Sequence, residues 1–171
     1  MSLTISQVLK TTTGQTLGAL KGVLAKAQAH AEAIGVEDSV FLNARLAPDM
    51  FPMVRQVQIA TDMSARGASR LSGRDMPNLP DVETSFAQLI ERCDKAIAHI
   101  METPDDAINA NADTVLDIPA GKDKTMPMTG AEYTLSFVVT NLNFHATTAY
   151  ALLRSQGVPL GKRDYLMPPQ A

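Results

Sequence analysis

Tryptophan is absent from the 171 residues, cysteine occurs once, at Cys93, and aromatic side chains make up only 5%. A single thiol cannot form an intramolecular disulfide framework, and its isolation fits a reducing compartment. Charge of one sign is also scarce. With 15 basic and 18 acidic residues the formal charge is −3, and no dense Lys/Arg block is present to follow a phosphate backbone, which argues against nucleic-acid partners. No stretch approaches the ~20 apolar residues that span a bilayer, so no membrane partner is expected. Met1 to Ser6 lacks the basic start and apolar run of a secretory signal. A cytoplasmic location is the expectation.

What the chain does have is ordinary globular composition, 45% hydrophobic and 19% charged. A length within ~100–200 residues suits one core, so residues 1–171 are expected to form one domain. From Ile5, apolar residues recur at Val8, Leu9, Leu17, Leu20, Val23, Leu24 and Ala27, spaced by three and four as on one stripe of a helix. Gly35 is the expected stop, and Val36 to Pro48 reads as a connecting loop. Pro52 suits the first turn of a second helix running to about Leu71. Its inward candidates are Met53, Val57, Ala60, Ser64 and Gly67, small enough for close packing.

Ser72 to Pro80 is a Gly/Pro loop, with Asp81 as the expected cap of a third helix whose stripe is Val82, Phe86, Leu89, Cys93, Ile97 and Ile100. The helical period then lapses after Thr103-Pro104. Thr114 to Ile118 and Thr125 to Met128, flanking Pro119 to Lys124, predict a small β-hairpin. Thr129 with Glu132 three residues on forms a capping box for a fourth helix. That helix carries Leu135, Val138, Leu142, His145, Ala149 and Leu152 on its seam, and Gly157 stops it after about Gln156. Four amphipathic segments of this length most simply bury their stripes as a bundle.

Three segments carry a family resemblance. They are Leu46-Ala47-Pro48-Asp49-Met50-Phe51-Pro52-Met53-Val54-Arg55-Gln56-Val57-Gln58, the stretch Asn141-Leu142-Asn143-Phe144-His145-Ala146-Thr147-Thr148-Ala149-Tyr150-Ala151-Leu152-Leu153-Arg154, and the exit Gly157 to Leu166. Together they resemble an uncharacterised bacterial family of the DinB/YfiT-like superfamily over essentially the whole chain. The resemblance implies an all-α fold, a DinB-like antiparallel four-helix bundle with a small β-hairpin between helices three and four. It also implies an up-down-down-up course with a long crossover between helices two and three, and a homodimer. Better-known relatives hold a divalent metal on three histidines, one from helix two and two spaced four apart on helix four, and some are thiol-dependent transferases or hydrolases. Here the positions four residues either side of His145 are Asn141 and Ala149.

His145 sits on a seam among apolar residues, and a buried imidazole must find partners for both nitrogens. Asp49 and Gln56, seven apart near the start of helix two, fall where the resemblance implies the remaining ligand. One reading makes His145, Asn141, Asp49 and Gln56 a satisfied hydrogen-bond network lining a small-molecule or partner pocket, with Tyr150 nearby and no cofactor. The other makes His145 and Asp49 ligands of a divalent cation such as Zn, Ni, Mn or Fe, which would activate a thiol or water for transfer or hydrolysis.

The remaining candidates point to structure. His99 shares a face with Arg92, Lys95 and Glu102 and is expected in solvent; His30 suits a helix C-terminal dipole. Cys93 on an apolar stripe is expected in the core. Tyr150 and Arg154 are one turn apart and read as an ordinary surface pair. Gly157 to Lys162 has three residues between its glycines rather than four and follows a helix, so it is no phosphate loop. Tyr165 and Leu166 are expected to anchor the tail on the bundle, and nine methionines add adaptable apolar surface.

Overall fold

The computed structural model describes residues 2–168. They form eight helical segments, α1 (Ile5–Ile34), α2 (Asp38–Leu42), α3 (Met53–Ser72), α4 (Phe86–Glu102), α5 (Asp105–Asn109), α6 (Gly130–Glu132), α7 (Val139–Ser155) and α8 (Lys162–Leu166), with a π-helical stretch at Tyr133–Val138 joining α6 to α7. Strands β1 (Val115–Pro119) and β2 (Thr125–Thr129) pair antiparallel, with Val115 opposite Thr129 and Pro119 opposite Thr125. The fold is mostly helical with one small sheet. α1 packs on α4 and α7, and α3 packs on the same two helices. Among the described residues no helix is long and apolar enough to cross a membrane.

The ends of α1 are set locally. Thr4 Oγ1 accepts the Gln7 N–H at 3.3 Å while Gln7 Oε1 accepts the Thr4 N–H at 3.1 Å, so two orphan donors are satisfied reciprocally. At the other end Gly35 turns left-handed, φ +66°, and the Val36 N–H returns to the Ala31 carbonyl. Leu9, Leu17, Leu20, Leu24, Ala27 and Ala31 are buried between these ends. Small residues bring α3 close to its neighbours: a methyl on Gly67 would lie 3.0 Å from a Val138 methyl. Thr61 and Ser64, buried on α3, donate to carbonyls one turn back and bring no unmet hydroxyl into the core.

Several sequence expectations need correction. Val36 to Pro48 contains α2, whose Asp38 carboxylate accepts the Phe86 N–H at 2.9 Å. Asp81 does not cap α4; Ser85 does, and Val82 is 69% exposed rather than on the stripe. The reason is that Asp81 pairs with Arg55 and Arg92, which holds the segment before Ser85 outside the helix. Leu135 is exposed, while Tyr133 and Thr134 take the inward positions. A π turn adds a residue to the helical repeat, so the seam that runs through Val138, Leu142 and Ala149 is displaced upstream of Val138. Leu166 is exposed as well, although α8 does lie on α1.

Arg92 organises the crossover between α3 and α4. Its Nε donates to Thr61 Oγ1 at 2.8 Å, Nη1 to the Pro80 carbonyl at 2.9 Å and Glu83 Oε1 at 2.8 Å, and Nη2 meets Asp62 Oδ1 at 2.7 Å and Asp81 Oδ1 at 3.1 Å. Residues of the crossover are thereby tied to α3 through one guanidinium. Burial opposes the charge of Arg92, yet Glu83, Asp62 and Asp81 more than offset it and its pKa is raised. Asp62 is raised too, by burial and by the neighbouring Asp81 charge, since one arginine here serves three carboxylates.

Gly130 marks where the hairpin enters the last long helix. Its N–H donates to the Thr114 carbonyl, and a Cβ there would sit 2.1 Å from the Asn111 carbonyl oxygen. The Thr129 and Glu132 capping box forms as expected, with the Glu132 carboxylate accepting the Thr129 N–H at 2.8 Å.

Candidate functional site

α3 and α7 pack side by side, which brings Gln56, in the first turns of α3, against His145, midway along α7. Gln56 Oε1 lies 2.7 Å from His145 Nδ1, and Gln56 Nε2 donates to the Phe51 carbonyl at 3.0 Å. The second bond fixes the first. A carbonyl can only accept, so the amide NH₂ faces Phe51 and the amide oxygen faces His145. Nδ1 therefore carries the proton and donates it, and the lone pair of the neutral ring resides on Nε2, which has no hydrogen-bond partner among the described residues. Burial lowers the His145 pKa and the Arg55 charge lowers it further, so the neutral ring is favoured.

The other expected members stand apart from this pair. Asn141 donates its amide to the Phe137 carbonyl of its own helix at 2.7 Å. Asp49 is exposed in the turn before α3 and makes no side-chain hydrogen bond or ion pair among the described residues. Because α3 begins only at Met53, the seven-residue spacing from Asp49 to Gln56 does not place them on a common helical face. Tyr150 is half-buried on the far side of the same helix and meets Tyr165 edge to face, centroids 5.9 Å apart. Beside the pair, Phe144 meets the His145 ring in a T-shaped arrangement, centroids 5.1 Å apart, and is 58% exposed; Phe51, whose carbonyl holds Gln56, is 57% exposed.

A three-histidine metal set does not fit these residues. A catalytic zinc takes three N, O or S protein ligands. Here Ala149 offers no donor, Asn141 is turned to its own backbone, and both ends of the Gln56 amide are engaged. Among the described residues no three His, Cys, Asp or Glu side chains are grouped to hold a metal ion.

Two further sequence expectations concern histidine and cysteine. His99 is buried rather than solvated, its Nε2 2.8 Å from Ser69 Oγ, and burial with the nearby Arg74 charge lowers its pKa. Cys93 is fully buried, and burial pushes its thiol up to about 12. Periodicity did not reveal Arg92, whose partners come from two separate stretches of chain, Thr61 and Asp62 on α3 and Pro80 to Glu83 in the crossover. It also did not reveal Tyr133, although the capping box directly before it was a usable signal.

No protein with curated annotation matches the chain. Residues 6–166 match the model of a family described as "Domain of unknown function (DUF1993)". A solved structure of a DinB family member protein from Shewanella denitrificans is 36% identical, covering 97% of this chain and 94% of that one, with a TM-score of 0.85. The chain therefore belongs to the DUF1993 family and shares the fold of a DinB family member.

Proposed function

We propose that this chain is a DinB-like antiparallel four-helix bundle that binds a small molecule without a metal, with His145 as its polar contact. The observation that carries this reading is the chain of hydrogen bonds from the Phe51 carbonyl through Gln56 to His145 Nδ1. It fixes a neutral imidazole with an Nε2 acceptor, beside the exposed Phe144 ring that can hold an apolar body. The ligand class is a small apolar molecule bearing one hydroxyl or N–H donor. Exposed Leu46, Phe51 and Phe144 also support the homodimer implied by the resemblance.

Imidazole ¹⁵N NMR tests the site. The Nδ1–H tautomer is expected for His145 and is lost in Gln56→Leu, while a fragment screen finds donors that shift Nε2 and are lost in His145→Ala. An Nε2–H tautomer in the parent protein would contradict the reading.

The second reading is a divalent-metal-dependent thiol transferase or hydrolase using His145 and Asp49. It is favoured by one fact, that metal-binding histidines are likewise oriented by a carbonyl accepting from the other ring nitrogen, as Gln56 Oε1 does here. Elemental analysis of protein purified without chelators or a metal column decides between them. About one tightly bound divalent ion per chain, lost in His145→Ala, would overturn the first reading.

A further inference from the structure

At the opposite end of α3 from Gln56, Arg66 and Arg70 stand one turn apart, and Arg74 follows just past the left-handed Gly73 that ends the helix. Arg74 reaches the His99 carbonyl, Thr103 and Glu102. Arg66 and Arg70 make no ion pair within the described residues. Both line a hollow of about 110 Å³ whose remaining walls include Met63, Ile118, Tyr133 and Phe137. A second hollow of about 250 Å³ adjoins the same two arginines on the side of Ser69 and Arg74.

Tyr133 supplies an independent sign that the smaller hollow has an occupant. Its side chain is fully buried and its hydroxyl has no hydrogen-bond partner within the described residues, the one buried side-chain polar atom there in that condition. Buried hydroxyls are ordinarily paired, so an orphan calls for a reason. It stands at the start of the π-helical stretch, a distortion that often accompanies binding sites. Arg70 lies over its ring, Cζ 5.6 Å from the centroid, and the Phe137 ring stacks beside it at 5.7 Å. Burial raises the Tyr133 pKa against the Arg70 and Arg66 charges and an Arg70 approach to the hydroxyl oxygen; an arginine can only donate, so the O–H remains a donor in want of an acceptor.

We infer that the hollow between α3, the π turn and the hairpin is a second binding site, for a small carboxylate with a short apolar body. A carboxylate accepts from Tyr133 and from the guanidiniums of Arg66 and Arg70, where charge-assisted bonds are short and strong. Its alkyl part rests on Met63, Ile118 and Phe137. Arg70 stands over the Tyr133 ring, the exposed Arg66 lines the same hollow, and the Tyr133 O–H lacks an acceptor; the anion supplies an acceptor to all three. The site is remote from His145 in the fold and does not depend on the reading of that residue.

The test is an NMR titration of the full chain, labelled at methionine methyls and arginine Nε, with butyrate, its neutral isostere butyramide, and inorganic phosphate at constant ionic strength. Butyrate should give saturating shifts at Met63 and Arg70, and butyramide should bind at least about tenfold more weakly, the factor expected when one charge-assisted bond is lost. Phosphate should compete with butyrate for the arginines. Tyr133→Phe should weaken butyrate by about tenfold while its melting temperature holds or rises, because the orphan hydroxyl is gone. Arg70→Gln should weaken it at least as much, and His145→Ala should leave it unchanged. No saturation, an equal response to butyramide, phosphate binding with no response to butyrate, or unaltered butyrate affinity in Tyr133→Phe would each overturn the proposal.

Discussion

Replacing Arg92 with methionine keeps most of the side-chain length but removes all contact with five oxygens, those of Thr61, Pro80, Glu83, Asp62 and Asp81. The loss is set by the groups left behind. The Glu83 side chain is 9% exposed and Asp62 20%, so both carboxylates would remain largely desolvated without a counter-charge, whereas Asp81 at 40% can turn to water. Breaking a buried pair by removing one partner costs ~3–5 kcal/mol. A domain of this size is stable by ~5–15 kcal/mol, so the variant should lose between about a fifth and the whole of its margin. The pH dependence gives the sharper check. Without Arg92 the Asp62 carboxyl, already raised by burial, loses the attraction that opposes that rise, and a group whose folded pKa lies above its unfolded value stabilises the fold at low pH and loses that contribution as pH rises through the folded value. Urea unfolding at pH 5 and pH 8 should therefore show a smaller penalty at pH 5. A penalty under ~1 kcal/mol, the scale of a surface pair, or one equal at both pH values would refute the reasoning.

Three further outcomes are expected. His145 and His99 both have folded pKa values held below the ordinary 6.5; their contribution is present above 6.5 and lost as pH falls through the folded values. Unfolding free energy should thus decline below pH 6.5, with a slope of up to ~1.4 kcal/mol per pH unit for each extra proton bound by the unfolded chain, and His99→Gln should flatten it. Gly130→Ala should lower stability by ~1–3 kcal/mol in thermal unfolding, the scale of an overpacked position, because the new methyl collides with the Asn111 carbonyl; a neutral result would show that the hairpin entry yields freely. Cys93 should resist a thiol reagent such as Ellman's in the native state and react only on unfolding, since it is fully buried with its thiol raised to about 12.

The parts of this molecule that were legible in its sequence are those determined within one or two turns of chain. Gly35 and the Thr129 and Glu132 pair mark helix ends because a cap involves only residues a few positions apart. The hairpin could be read in the same way from Pro119 to Lys124. Arg92 illustrates the opposite case. It neighbours Cys93 on the helix, and nothing nearby announces that Asp62, Asp81 and Glu83 will gather around it. The charges beside His99 on its own helix predict solvent exposure, while the deciding neighbour, Ser69, comes from another helix. For the site, Gln56 and His145 were identified together and do meet. Asp49 was grouped with them by assuming a helical phase that begins only at Met53, and Asn141 finds its partner one turn back on its own backbone.

The π turn at Tyr133–Val138 has a consequence for how the two ends of the last long helix vary. Each residue of an α-helix advances the azimuth by roughly 100°. One extra residue in the turn lets the hairpin end and the His145 end choose their rotational settings separately, like two dials on a shaft joined by a coupling. Deleting a single residue between Tyr133 and Val138 would restore an unbroken α-helix and leave His145 facing Gln56. The same deletion would swing Tyr133 away from Arg70 and carry the hairpin around the axis with it.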